Sequence, residues 1–285
     1  MTDKLIAGVD FSGATKVPND TWLAHGRLSD WQFEIVEIRK IGSHALGAEL
    51  SRTHYCAAGI DCPFSLPAEF LDHLAATATR KDFQSWQEAA EHLVFTSFDD
   101  FLAAATAFKK EPKRLTDKSV KAPAVSPLHR GNPSMVQMTY QGMRLLAQLD
   151  PEKFYVLPFQ QSHSDRCAVI EVYPRDFLRL LGLPETNYKS KTKKDEEEAQ
   201  KVRRQILGGL VELKERKQIS LKDFIRLSIK KEIEHQIISS DHALDAVIAA
   251  YVTALFVAAP QHFADPFEAG DLNVLLEGWI YSLRE

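Results

Sequence analysis

Residues 4–10 (KLIAGVD) are apolar from Leu5 to Val9 and close on a carboxylate, the pattern of a buried strand. Residues 20–28 and 31–39 predict two further strands joined by a short turn around Ser29–Asp30. In the second of these, Trp31, Phe33 and Ile35 alternate with Gln32 and Glu34, as on a half-buried strand. A short helix is expected over 44–52, then a fourth strand at 57–60 that ends in Asp61 and is stopped by Pro63. From 67 to about 110 the pattern turns helical, with Trp86, Ala90, Leu93 and Val94 on one side of a helix. Residues 111–133, punctuated by Pro112, Pro123, Pro127 and Pro133, predict a loop before a helix over 134–149. A strand follows at 155–158 or 168–173, and 176–181 form a helical turn closed by Gly182. Helices are expected over 195–215 and 221–235 and, most apolar of all, over 241–256. The expected class is α/β: a mixed sheet flanked by helices, one domain over 1–285 with helical insertions at about 67–165 and 182–236.

A hydrophobic share of 45% is enough for a full core. No uninterrupted apolar run reaches the roughly 18 residues of a membrane span, and the first residues lack a signal-peptide pattern. The cysteines, Cys56, Cys62 and Cys167, show no CxxC spacing and read as small apolar residues kept reduced, so the expected location is cytoplasmic. A net charge of −4 gives no global attraction to nucleic acid. Residues 109–121 carry six Lys or Arg against two acids, and 189–204 mix bases with an acidic block; either is a solvated surface or a local phosphate contact.

Four segments place carboxylates at the edges of buried elements. Asp10 in GVDFSGATK, Asp61 in AAGIDCPFSLP and Glu171 in AVIEVYPR sit at or near strand ends, while Asp241, His242 and Asp245 open the last helix. Such groups are costly to desolvate without a partner, and a divalent cation such as Mg²⁺ or Mn²⁺ is one. The three- and four-residue spacings bring Asp241, His242 and Asp245 to one helix face. Asp241 serves as ligand or as helix-end acid; Asp245 lies too far in to cap. Glu171 is a ligand, a substrate-orienting group or the structural partner of Arg175 or of another Lys or Arg. Two ions can activate a water and stabilise a leaving oxygen; Asp10 would bridge them, with Asp61 and Asp245 each completing one. His242 would orient the attacking water or the phosphate, and Lys16, Arg114 and Lys189 are candidate phosphate contacts.

Together these segments resemble the predicted RNase H-like nuclease family, largely a domain of unknown function. The resemblance runs through GVDFSGA (8–14), GIDCPFSLP (59–67), RLTD (114–117), QGMRLL (141–146), VLPFQ (156–160), IEVYPR (170–175), YK (188–189), DHALDAVIAAY (241–251) and EGWIY (277–281). The run from His242 to Ala246 is also similar to the last acidic motif of Holliday-junction resolvases. The resemblance implies an RNase H-like fold and metal-dependent hydrolysis of nucleic-acid phosphodiesters, with Asp10, Asp61 and Asp245 as the acids of the first strand, fourth strand and last helix. Glu171 has no clear counterpart in the resolvases.

Two other readings stand beside the nuclease. GVDFSGATK also resembles the phosphate-binding hairpin of actin-like ATPases and sugar kinases, which implies a phosphotransferase, but those proteins need two cores around a nucleotide. A non-catalytic RNase H-like nucleic-acid-binding module is the other; against it, clustered acids without metal repel one another.

Overall fold

Three consecutive strands open the chain as a meander: β1 (Lys4–Asp10), β2 (Thr21–Ser29) and β3 (Gln32–Ile41). The computed structural model describes residues 3–14, 21–78, 80–131, 135–190, 192, 194–213, 225–268 and 270–284. Asp30 and Trp31 form the two-residue β2–β3 turn with φ of 44° and 63°. Left-handed geometry at both positions matches the right-handed twist of the strands they join. Trp31 therefore sits in the turn, 45% exposed, while Phe33 and Ile35 alone hold the buried positions that alternation assigned to all three.

A helical turn at Ser43–Ala45 and α1 (Leu46–Arg52) carry the chain across to β4 (Ala57–Asp61), which pairs parallel with β1. Next to β4 lies β6 (Cys167–Glu171), then β5 (Phe154–Val156), both parallel, so both alternatives for the strand after residue 150 are realised. At the far edge β7 (Arg226–Ile229) runs parallel to β3. The order is β5-β6-β4-β1-β2-β3-β7, with β2 alone running against its six companions. This is an α/β, RNase H-like arrangement. Among the described residues, helices fill more of the two expected insertions than strands do, but each range adds one edge strand to the sheet. In particular β7 replaces part of the helix expected over 221–235, and α9 (Lys231–Ser239) begins only afterwards. Leu227 and Ile229 alternate with Arg226 and Ser228, a stretch too short for its period to separate strand from helix. The loop expected at 111–133 also contains a short helix, α5 (Leu115–Ser119).

Alternation along the strands gives the sheet two apolar faces. Ala7, Val9, Ala58, Ile60 and Val169 face α1, α2 (Ala68–Thr77), α3 (Trp86–Phe95), α4 (Phe98–Phe108) and α6 (Val136–Ala147). Ile6, Ala57, Ala168 and Ile170 face α7 (Pro174–Leu180), α8 (Glu196–Val211), α9 and, at the centre, α10 (Asp241–Ala258). The 18-residue α10 has a mean hydropathy of 1.5, enough by length and composition to cross a membrane, and 72% of it is buried inside this fold.

What lets α10 lie so close to the sheet is a pair of glycines. Gly8 and Gly59 are register partners on β1 and β4 and face the helix. A Cβ at Gly8 would stand 2.0 Å from the Ala250 nitrogen and 2.4 Å from the Ala246 oxygen, and one at Gly59 would stand 2.0 Å from Thr253 Oγ1. Backbone on backbone cannot yield locally, so a methyl group there must lift the helix. Gly8→Ala is expected to cost roughly 1–3 kcal/mol, the range for overpacking a tight core. Urea unfolding would show it as a lower midpoint; an unchanged midpoint would contradict the packing described.

Candidate metal centre

Asp10 and Asp61 end adjacent parallel strands and are direct register partners, so their side chains leave the sheet on the same face, the one that α10 covers. They stand at the carboxyl edge of the strands, where open α/β sheets bind ligands. The turn after Asp10 is knitted by hydroxyls: the Ser12 amide donates to Thr21 Oγ1 (3.1 Å), which lies 2.6 Å from Ser43 Oγ. Asp245 descends from α10 one turn inside its start. Ser240 caps that helix, accepting from the Ala243 amide at 3.2 Å, so Asp245 owes nothing to capping. One carboxylate oxygen from each of Asp10, Asp61 and Asp245 falls within 4.8 Å of the others.

The surroundings set the charges. Asp10 and Asp245 are buried and Asp61 is half-buried. Burial, then repulsion from Asp10 and Asp245, lifts the Asp61 carboxyl well above its ordinary 3.8. Burial raises Asp10 as well, held back by His242, whose Nδ1 lies 2.7 Å from Asp10 Oδ2. That hydrogen bond in turn raises the His242 imidazole. Asp245 has two partners: Lys189 Nζ at 2.7 Å from Oδ2, and the Tyr188 hydroxyl, which donates to Oδ1 at 3.0 Å. The Lys189 ammonium is raised chiefly by Asp245, and burial pushes the Tyr188 phenol well up. Among the described residues no side chain hydrogen-bonds Asp61. Three carboxylates thus share one ammonium and one imidazole, and all three offer the hard oxygens that Mg²⁺ or Mn²⁺ takes. The residues present fit a divalent ion.

Glu171 does not belong to this cluster. Its register partner is Ile60, one residue before Asp61, so its side chain leaves the sheet on the opposite face. There it is the partner of Arg114: Nη2 donates to Oε1 at 2.6 Å and Nη1 to Oε2 at 2.8 Å, with the Phe64 amide adding 2.9 Å to Oε2. Both carboxylate oxygens are occupied, so Glu171 is the structural half of an ion pair and not a ligand. The same observation removes Arg114 as a phosphate contact. Its guanidinium is 1% exposed and also bonds Asp117 through Nε and Nη2. Asp241, in the first turn of α10, lies outside the three-carboxylate group. Lys189 does reach the site, bound to Asp245. Lys16 lies outside the described residues.

The residues missed are those that orient the acids. Tyr188 stands in the YK pair that belongs to the family resemblance, which marks the position without assigning it a role. Arg203 is fully buried in α8 and donates through Nη1 to the Tyr188 carbonyl and through Nε to the Ile238 carbonyl, each at 2.6 Å. It thereby ties the YK segment to the end of α9, just before α10. On the opposite face Glu277 accepts from the Ala68 and Leu115 amides, both at 2.7 Å, and the Ile280 amide donates to Thr116 Oγ1 at 2.7 Å. RLTD, IEVYPR and EGWIY therefore meet in one buried polar lock behind the sheet.

A carboxyl whose folded pKa lies above its unfolded value keeps a proton in the native state that the unfolded chain has lost. Its contribution to stability falls as pH rises from about 3.8 through the raised value. Asp61→Asn is therefore expected to stabilise the metal-free protein, little at pH 4 and most at pH 8, raising Tm by on the order of a few degrees. Thermal unfolding in a chelator across that range measures it; a variant no more stable than wild type at pH 8 would contradict the electrostatic picture.

Comparison with curated proteins and with solved structures yields no match for this chain. A protein family matches residues 23–262, a span that includes Asp61, Glu171, Tyr188, Lys189 and Asp245 and begins after Asp10. It is described as "Protein of unknown function (DUF429)", and this chain belongs to that family.

Proposed function

We propose that the protein is a divalent-metal-dependent hydrolase of nucleic-acid phosphodiester bonds. The observation that carries this reading is the convergence of Asp10, Asp61 and Asp245 from two register-paired strands and one helix to within 4.8 Å at the carboxyl edge of the sheet. The three carboxylates would hold Mg²⁺ or Mn²⁺. A cation there supplies a Lewis acid for a phosphoryl oxygen and lowers the pKa of a bound water. The chain's own residues do the rest. Asp10 fixes the His242 ring through Nδ1, which leaves Nε2 for a water or a phosphate oxygen; the imidazole is 37% exposed, so substrate can reach it. Tyr188 holds Asp245 in place through Oδ1, and Lys189 lies against Oδ2. Lys189 puts positive charge beside the acids, in a chain whose net charge of −4 attracts no polyanion globally. A single sheet among the described residues favours this reading over a phosphotransferase of the actin-like kind, which closes two such cores around its nucleotide.

Labelled DNA and RNA, each single-stranded, duplex and branched, incubated with the protein in Mg²⁺ or Mn²⁺ provide the test. Wild type is expected to cleave at least one, and Asp10→Asn, Asp61→Asn and Asp245→Asn each to lose about 100-fold or more, on the order of 2.7 kcal/mol of barrier. Cleavage that persists in all three variants would exclude these acids as the site. Metal binding without cleavage of any substrate would point instead to a binding module.

A further inference from the structure

Asp245 has no idle oxygen. Oδ1 accepts from the Tyr188 hydroxyl at 3.0 Å and Oδ2 faces the Lys189 ammonium at 2.7 Å. The two partners differ in how firmly they are held. Tyr188 is buried, its carbonyl gripped by Arg203 at 2.6 Å. Arg203 is itself pinned by Glu196 and by the Ile238 carbonyl. Lys189 is 53% exposed at its side chain, on a flexible four-carbon stem that reaches in from the solvent side. A cation that takes Asp245 as a ligand meets a charge of like sign on one of its oxygens, and only Lys189 has water to move into.

We infer that Lys189 is an internal counter-ion of the site, neutralising Asp245 until a divalent metal displaces it. This rests on the metal reading of the three carboxylates and assigns how that site is kept ordered when empty. The Tyr188 phenol and the Arg203 grip hold the Asp245 carboxylate toward Asp10 and Asp61, so displacement of the ammonium leaves the ligand in place. The displaced ammonium remains tethered beside the site, because the backbone of Tyr188, its neighbour, is fixed. Metal and Lys189 thus compete for the Asp245 carboxylate, which lowers the affinity of the wild-type site for metal.

The test is Mn²⁺ binding by calorimetry or electron paramagnetic resonance at pH 8, on full-length wild type, Lys189→Met, Lys189→Arg and Asp245→Asn, each checked for a cooperative thermal transition. Lys189→Met is expected to bind about tenfold more tightly than wild type, a coupling of ordinary size between competing ligands. Lys189→Arg, which keeps the charge, is expected to stay within about twofold of wild type, and Asp245→Asn to lose binding. Unchanged or weaker binding in Lys189→Met, or equal tightening in Lys189→Arg, overturns the counter-ion while Asp245-dependent binding preserves the metal site. Absence of Mn²⁺ binding in both wild type and Lys189→Met overturns both.

Discussion

The close approach of α10 to the sheet is the constraint on which the site depends. An apolar helix resting on side chains is held off the strands beneath it by their bulk, too far for a short aspartate to join two others at the strand ends. Gly8 and Gly59 remove the side chains at the point of contact, and the Ala246 oxygen and Ala250 nitrogen come down onto β1. Asp245 lies beside that contact and is carried down with it. The glycines lie one pleat repeat before Asp10 and Asp61 on the same strands, so a single pair of registered positions sets both helix height and acid spacing. The remaining apolar residues of α10, from Val247 to Leu255, hold this arrangement mainly by burial, to which Tyr251 adds a hydrogen bond from its hydroxyl to the Ile225 carbonyl at 2.6 Å.

The sheet separates two buried polar systems that chemistry alone would not distinguish. On the α10 face stand three carboxylates with too few cations; on the other, Arg114 is satisfied by Asp117 and Glu171. The first is costly to fold without a ligand, and the second is complete. They touch through the chain that follows Asp61: the Phe64 amide bonds Glu171, and the Trp86 indole donates to the Phe64 carbonyl at 2.8 Å. The turn that leaves the site is therefore anchored from behind by the lock. Breaking a buried pair of this kind by removing one partner strands a charge, a loss of about 3–5 kcal/mol, so the lock supports the geometry of the site without entering its chemistry.

Much of this was legible in the sequence, and the failures have physical causes. The meander followed from alternation and its turn, Asp245 from its place one turn inside the most apolar helix, and β4 and the pair Asp10 and Asp61 from apolar runs that end in acids. Glu171 shares that pattern, but strand periodicity is two, and a register offset of one residue from Asp61 sends it to the other face. Register depends on pairing, which no local window contains. Arg114 read as part of a basic loop because, Asp117 apart, its partners lie 57 and 163 residues away. Trp31 followed the strand alternation until a tight hairpin turn claimed it. Tyr188 and Arg203 carried no local signal of their role, since each acts on a backbone or carboxylate brought near only by the fold.

The central claim is that Asp10, Asp61 and Asp245 form one divalent-metal site and that Glu171 stands outside it. Crystals of the protein grown with Mn²⁺ and measured for anomalous scattering test this most directly. The account predicts one or more peaks within about 2.0–2.4 Å of oxygens from all three aspartates, with Glu171 still paired to Arg114. Peaks absent from the three aspartates, or an ion bound through Glu171, would contradict it.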